Sequence, residues 1–237
     1  MSRPPIAWPR LLVEGLVIVV SILLAFAIDA WWEDRQEAEE ARLQIERVVA
    51  ELESNAVLLE DQIGYLDVTT DAAKRFLAKF GPNPDAVEKS VVGDLFNGLF
   101  ASGTIALDRS ASQNFLASGL MTKGEWLAIR HDLSALMAQQ DRSEKRSVEL
   151  RELRPSIHEY VGHLMPALDT AMAHELMADY SPSRFPYDPS VMFSDMYLEG
   201  LISGFAIRME INRSGNRRLL EEHLTLLDEI HKAGRPL

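Results

Sequence analysis

The sequence predicts an all-α protein: one N-terminal transmembrane helix that continues into a long juxtamembrane helix and a helical bundle. Three observations carry this. The run "GLVIVVSILLAFAI" at 15–28 holds no charge. Beyond it, apolar residues recur at threes and fours through most of the chain, the spacing of a helix face. No stretch alternates convincingly with the period of two that a half-buried strand requires, and no segment repeats at a fixed period.

The apolar run justifies the first element. Fourteen uncharged residues are short for a span, but Leu11 to Trp32 makes 22 residues. At ~1.5 Å per residue that is ~33 Å, against a hydrocarbon core of ~30 Å. Trp8 on one side, and Trp31 and Trp32 on the other, lie where interfacial tryptophans anchor a span. Pro9 suits a helix start, where its missing N–H costs nothing. Two other readings compete. Arg3 and Arg10, the run, and "AFA" at 25–27 satisfy the outline of a cleaved secretory signal. A buried core helix is the other. Glu14 interrupts the early apolar region and the helix pattern runs on without a break, which oppose cleavage. The run is apolar on every side, which opposes a soluble core helix.

The span has a marked face. On a helical wheel Ser21 and Ala25 fall within ~20° of Glu14, and Asp29 is ~60° from it. Two small residues four apart admit a second helix closely. Glu14 and Asp29 either mark the two water interfaces or belong to a helix–helix contact. Arg3, Arg10 and the terminal amine precede the run, whereas Arg35, Arg42 and Arg47 stand among seven acids in the twenty residues after it. Basic density therefore leans toward an N-terminus in the cytoplasm and the rest outside.

Residues 1–10 form a short tail, 11–32 the span, 33–80 the juxtamembrane helix and 81–237 the bundle. In the juxtamembrane helix Ile45, Val48, Leu52, Asn55, Leu59, Ile63 and Leu66 form a coiled-coil-like seam. Asn55 either sets register in that seam or sits on its flank in water. Thr69, Thr70 and Asp71 suggest a break. "GPNPD" at 81–85 ends the helix, with Gly81 as a left-handed stop. Asp85 and Glu88 open the next helix as a capping box, with a stripe of Val91, Val92, Leu95, Phe96, Leu99 and Phe100. Ser110 and Gln113 cap a short helix that Gly119 stops, with Leu120 folding back on it. Thr122 and Glu125 open another, whose polar end runs to about Arg154. Pro155 restarts the chain into a helix with His158, Tyr160, Leu164, Leu168 and Met172, kinked at Pro166. "YSPSRFPYDPS" at 180–190 reads as a loop. Asp188 and Pro189 open a last helix to about His231, loosened at Gly200, Gly204 and Gly215.

Composition bounds function more than it names it. The 237 residues are 47% apolar and carry a net charge of −12. That balance opposes nucleic-acid binding, which needs a basic footprint. With no cysteine, disulfides, thiol catalysis and Cys-ligated metals are excluded. "HEYVGH" at 158–163 places its histidines five apart, ~140° round the wheel, not on the shared face a zinc-protease helix requires. "DEIH" at 228–231 is a lone carboxylate–histidine pair, where a di-iron bundle needs two. No nucleophile elbow, P-loop or dinucleotide fingerprint occurs. Arg213, Arg217 and Arg218 read as a solvated face, with an anion or acidic-partner site as the sharper alternative. Trp126, Phe96, Phe100, Tyr160 and Phe205 read as core.

"EGLVIVVSILLAFAIDAWWEDR" at 14–35, followed by "ELESN" at 51–55, resembles a group of uncharacterised bacterial membrane proteins with one N-terminal helix and an acidic helical body. "NFLASGLMTKGEWLAIRHDLSAL" at 114–136 resembles a second, looser pattern of that group. Ser21 stands where that pattern has glycine. The resemblance implies an anchored inner-membrane protein and brings no reaction, so no catalytic, cofactor or metal residue follows from it. The expectation is a single-pass protein in the bilayer that works through contacts with itself or another membrane protein. A ligand-binding sensor bundle beyond the membrane is the alternative, and a metal-dependent enzyme a third. The sequence names no small ligand.

Overall fold

The computed structural model describes residues 8–99, 105–121, 124–166 and 183–233, with side chains of 8–15, 89–90 and 125 left aside. Among them are six helices and no strand: α1 (Trp8–Leu77), α2 (Lys89–Leu99), α3 (Ser110–Ser118), α4 (Glu125–Leu164), α5 (Pro189–Phe193) and α6 (Met196–Ala233). The chain is all-α, a long N-terminal apolar helix followed by a bundle.

α1 is one helix of 70 residues, ~105 Å at the standard rise. The threonines make no break. Thr69 returns its hydroxyl to the Tyr65 carbonyl at 2.8 Å, and Ala72, Ala73 and Phe76 beyond it are buried. Packing of that face carries the helix through residues of modest propensity. Its end is a tight turn, with the Lys79 and Phe80 amides donating to the Phe76 and Leu77 carbonyls. Gly81 has no left-handed backbone; its amide instead donates to the Phe193 carbonyl at 3.0 Å, tying the turn to α5.

Three helices carry most of the bundle. α6 packs against both α1 and α4, while α2 and α3 lean on α1. On α1 the buried positions include a stripe of Val48, Leu52, Asn55, Leu59, Gln62, Leu66, Thr69, Ala73 and Phe76, alternating four and three apart. α4 and α6 show the same spacing, the geometry by which one helical face stays against its neighbours. Two apolar cores stand one above the other. The proximal core joins Leu52 and Leu59 to Phe115, Leu133, Leu136, Leu219 and Leu226. The distal core joins Phe76 to Phe96, Ile157, Val161, Phe193 and Phe205. By these memberships α1 and α4 run in the same direction and α6 returns.

Several expected boundaries move. α2 begins at Lys89, four residues after Asp85, and Glu88 enters its first turn through its carbonyl, which accepts from Val91. α4 opens at Gly124 with no side-chain cap, and Thr122 lies outside the described residues. Pro155 does not restart the chain: α4 passes through it. Pro155 is on the exposed face, so the amide it lacks is missing on the solvent side. Leu150 before it and Ile157 and Val161 after it are buried in one core. Pro166 follows the end of α4 and kinks nothing, and Leu168 and Met172 lie outside the described residues. Asp188 caps only the five-residue α5, accepting from the Ser190 amide at 2.9 Å. The long last helix has its own opening: Asp195 accepts from the Leu198 amide and the Tyr160 hydroxyl, at 2.9 and 2.8 Å. The Leu198 amide first, then the Tyr160 hydroxyl, holds the Asp195 carboxyl below the usual carboxylate range. α6 is unbroken at Gly200, Gly204 and Gly215.

Candidate functional site: an exposed apolar helix and a polar waist

The N-terminal part of α1 is long and apolar enough to cross a membrane, and none of it is buried. Large apolar side chains from Leu16 to Trp32 are 50–67% exposed, more exposed apolar surface than a soluble monomer carries. Trp31 and Trp32 sit together at its end, ring centroids 6.2 Å apart. Ser21 satisfies its hydroxyl within the helix, donating to the Val17 carbonyl at 2.8 Å, as apolar surroundings demand. Ala25 and Asp29 are exposed on the same helix. Glu14 and Trp8 belong to α1 by backbone, and their side chains lie outside the description.

Asn55 is fully buried and meets the backbone of Asp108 rather than water. Its amide nitrogen donates to the Asp108 carbonyl at 2.6 Å, and its oxygen accepts from the Asp108 amide at 3.0 Å. One turn earlier, Glu51 is also buried. Its carboxylate accepts from the Ala111 and Ser112 amides at 2.6 and 3.2 Å and from the Ser112 hydroxyl. These are the free donors at the start of α3. Ser110 and Gln113 form no side-chain cap; Asp108 accepts from the Ser110 amide at 3.0 Å, and a carboxylate from another helix takes the next two amides. At the other end Arg130 donates to the Phe115, Leu116 and Leu120 carbonyls at 2.6–3.0 Å. Gly119 there is left-handed, with φ 70°. The Leu120 amide donates to the hydroxyl of Ser118, the last residue of α3, at 3.2 Å. An anion at the N-terminus and a cation at the C-terminus complement the dipole of α3.

Between the two cores lies a polar layer that the sequence reading passed over. α4 contributes Gln140, Ser143 and Ser147, and α6 contributes Asn212, Asn216 and His223, all buried. They pair across the interface: Gln140 with His223 at 3.0 Å, Ser143 donating to Asn216 at 2.5 Å, and Asn212 donating to Ser147 at 3.3 Å. The Leu219 carbonyl, 2.7 Å from His223 Nδ1, can only accept. The proton is therefore assigned to Nδ1, and Nε2 accepts from Gln140. Burial pushes the His223 pKa down, the Leu219 contact opposing it. The other expected basic cluster divides. Arg213 and Arg217 meet Asp67 of α1 at 2.8 and 2.9 Å, a strut beside the waist. Arg218 turns to α4.

Among the described residues no catalytic constellation forms. Among the described residues no three His, Asp or Glu gather as a metal site. His158 and His163 are both exposed, and Asp228 pairs with Lys232 rather than with His231. Of the expected core aromatics, Phe96 and Phe205 are buried, Trp126 and Tyr160 are partly buried, and Phe100 lies outside the described residues. Comparison with protein-family models, curated proteins and solved structures gives no match.

Proposed function

We propose that the chain is a single-pass membrane-anchored protein that acts through protein contacts, as a scaffold, assembly or accessory factor. One observation carries this reading: a single unbroken helix is wholly exposed and apolar at one end, and supplies the core of a folded bundle at the other. Such a helix ties the distance and direction of the bundle to the bilayer. The resemblance to bacterial single-span proteins and the basic density before the span support an inner-membrane location with the bundle on the periplasmic side. The partner is itself or another membrane protein, met along the face of Glu14, Ser21, Ala25 and Asp29.

The test uses membranes from bacteria expressing the chain with a C-terminal tag. A full-length product that resists alkaline washing, with a tag cut by protease added to spheroplasts, is expected. A shortened, soluble product overturns the anchor. A tag cut only after the inner membrane is opened overturns the orientation. Ala25→Leu should reduce crosslinked oligomers without releasing the protein; unchanged oligomers remove that face as the contact.

A further inference from the structure

We infer that the waist of the bundle carries a binding site for a small oxyanion, built from Arg146 and Arg218. This goes beyond the contact reading and does not depend on it. A cleft of about 160 Å³ opens between α4 and α6, lined by Gln139, Arg146, Ser214, Gly215, Arg218 and Glu222. Three observations point to an anion.

The first is a cation with no ion pair among the described residues. Arg146 is partly buried, and its Nε is fully shielded with no hydrogen-bond partner among the described residues. Burial and then the neighbouring Arg142 lower its pKa, with a smaller opposing influence from Glu149. A buried charge is ordinarily paired, because desolvation otherwise goes uncompensated. Arg213 and Arg217, on the same stretch of α6, show what pairing looks like here, since both reach Asp67.

The second is Gly215. A glycine inside a helix costs about 1 kcal/mol relative to alanine, and this one sits mid-helix with an ordinary backbone. A Cβ on it would lie 2.5 Å from Arg146 Nη2 and 2.9 Å from Cζ. The glycine is the space in which the guanidinium lies.

The third is the wall chemistry. Arg146 and Arg218 face one carboxylate, Glu222, leaving a net positive cleft on a chain of net charge −12. Ser214 and Gln139 add hydroxyl and carboxamide groups. Guanidinium forks match carboxylate and phosphoryl oxygens in two-point hydrogen bonds. The volume is well below the ~300–1,000 Å³ of sites for drug-sized ligands, so the bound part is a small carboxylate or phosphoryl group.

The experiment is thermal unfolding of the full chain in detergent, titrated with inorganic phosphate or malonate at ionic strength matched with chloride. A ligand that binds only the folded state raises the midpoint with its concentration. The expected result is a saturable rise with one or both anions. Arg146→Lys, which keeps the charge and loses the fork, should weaken the apparent affinity at least tenfold, and so should Gly215→Ala. Glu222→Gln should strengthen it, and Arg217→Gln should leave it unchanged. A rise with phosphate alone assigns a phosphoryl group, and with malonate alone a carboxylate; a rise with both assigns a general oxyanion site. No rise in the unmodified chain overturns the proposal, as does an equal rise in Arg146→Lys, Gly215→Ala and the parent. Should either of those two variants fail to fold, the Glu222→Gln arm still decides, and an affinity unmoved by it overturns the site.

Discussion

α1 is one helix in two solvents. From Leu16 to Trp32 its large apolar side chains are all exposed; from Val48 to Phe76 apolar residues are fewer, and the buried ones recur four and three apart along one face. The backbone is continuous, so the difference lies in the side chains alone. In the first region hydrophobicity is uniform around the helix, which suits an environment that is apolar in every direction. In the second it is a stripe four and three apart, which suits a partner on one side and water on the other. Each region should therefore fail by its own kind of substitution and leave the other intact.

The largest effect belongs to the buried region. Phe76 is fully buried, with Phe96 edge-on at 4.9 Å and Phe193 at 5.5 Å. Phe76→Ala should cost about 3–5 kcal/mol, seen as a lowered thermal midpoint in detergent. Retention in alkaline-washed membranes should not change. Loss of retention would mean that the bundle, and not the first region alone, holds the protein there. Leu23→Arg is the converse. A charge at the centre of a span costs about 3 kcal/mol of insertion, so the washed fraction should lose protein while the bundle melts at its usual temperature. Full retention would remove Leu16–Trp32 as the anchor.

A smaller effect sharpens the boundary between local and tertiary control. Glu51→Ala strips the start of α3 of its acceptor and leaves buried donors unmet, a cost of about 1–3 kcal/mol. Protection of the Ala111 and Ser112 amides from hydrogen exchange should fall first, with the distal core unaffected. An unchanged exchange pattern would mean that α3 holds its first turn without α1.

These residues also show what was legible. The uniform run at 15–28 and the stripe from Ile45 to Leu66 each repeat one simple pattern, so the all-α class and the long first helix could be read directly. The Gly119 stop was legible for the same reason, since a left-handed residue after a helix favours glycine. Caps were not. Glu51 lies 60 residues from the amides it meets, and nothing local to "RSASQ" at 109–113 announces it. Pro155 looked like a stop because the chain rule is local, while the packing of Ile157 and Val161 that overrides it is not. The waist was missed through period. Gln140, Ser143 and Ser147 occupy core positions, so the hydrophobic spacing of α4 falls silent where the helix is still buried. The same silence hid Arg146, one residue from Ser147 and visible only once Gly215 is placed beneath it.

The smallest expected effect tests that waist against the cores on either side of it. His223 is buried and neutral, and its folded-state pKa lies below the ordinary value of about 6.5 because burial penalises the charged ring. The unfolded chain therefore binds the proton more readily. Stability from this group is complete above about pH 6.5 and is lost as pH falls from there through the folded-state value. Asp195, Asp188 and Asp108, held below the carboxylate range, lose their contributions only below about pH 4. The loss from His223 therefore begins at higher pH than theirs. His158 is displaced downward as well, by burial and Arg154, so the informative comparison is the parent with His223→Gln. The parent midpoint should decline as pH falls below about 6.5, and the variant, less stable at neutral pH, should decline less over the same range. Parallel profiles would mean that the ring titrates freely, and that the waist between α4 and α6 opens to water while both apolar cores stay closed.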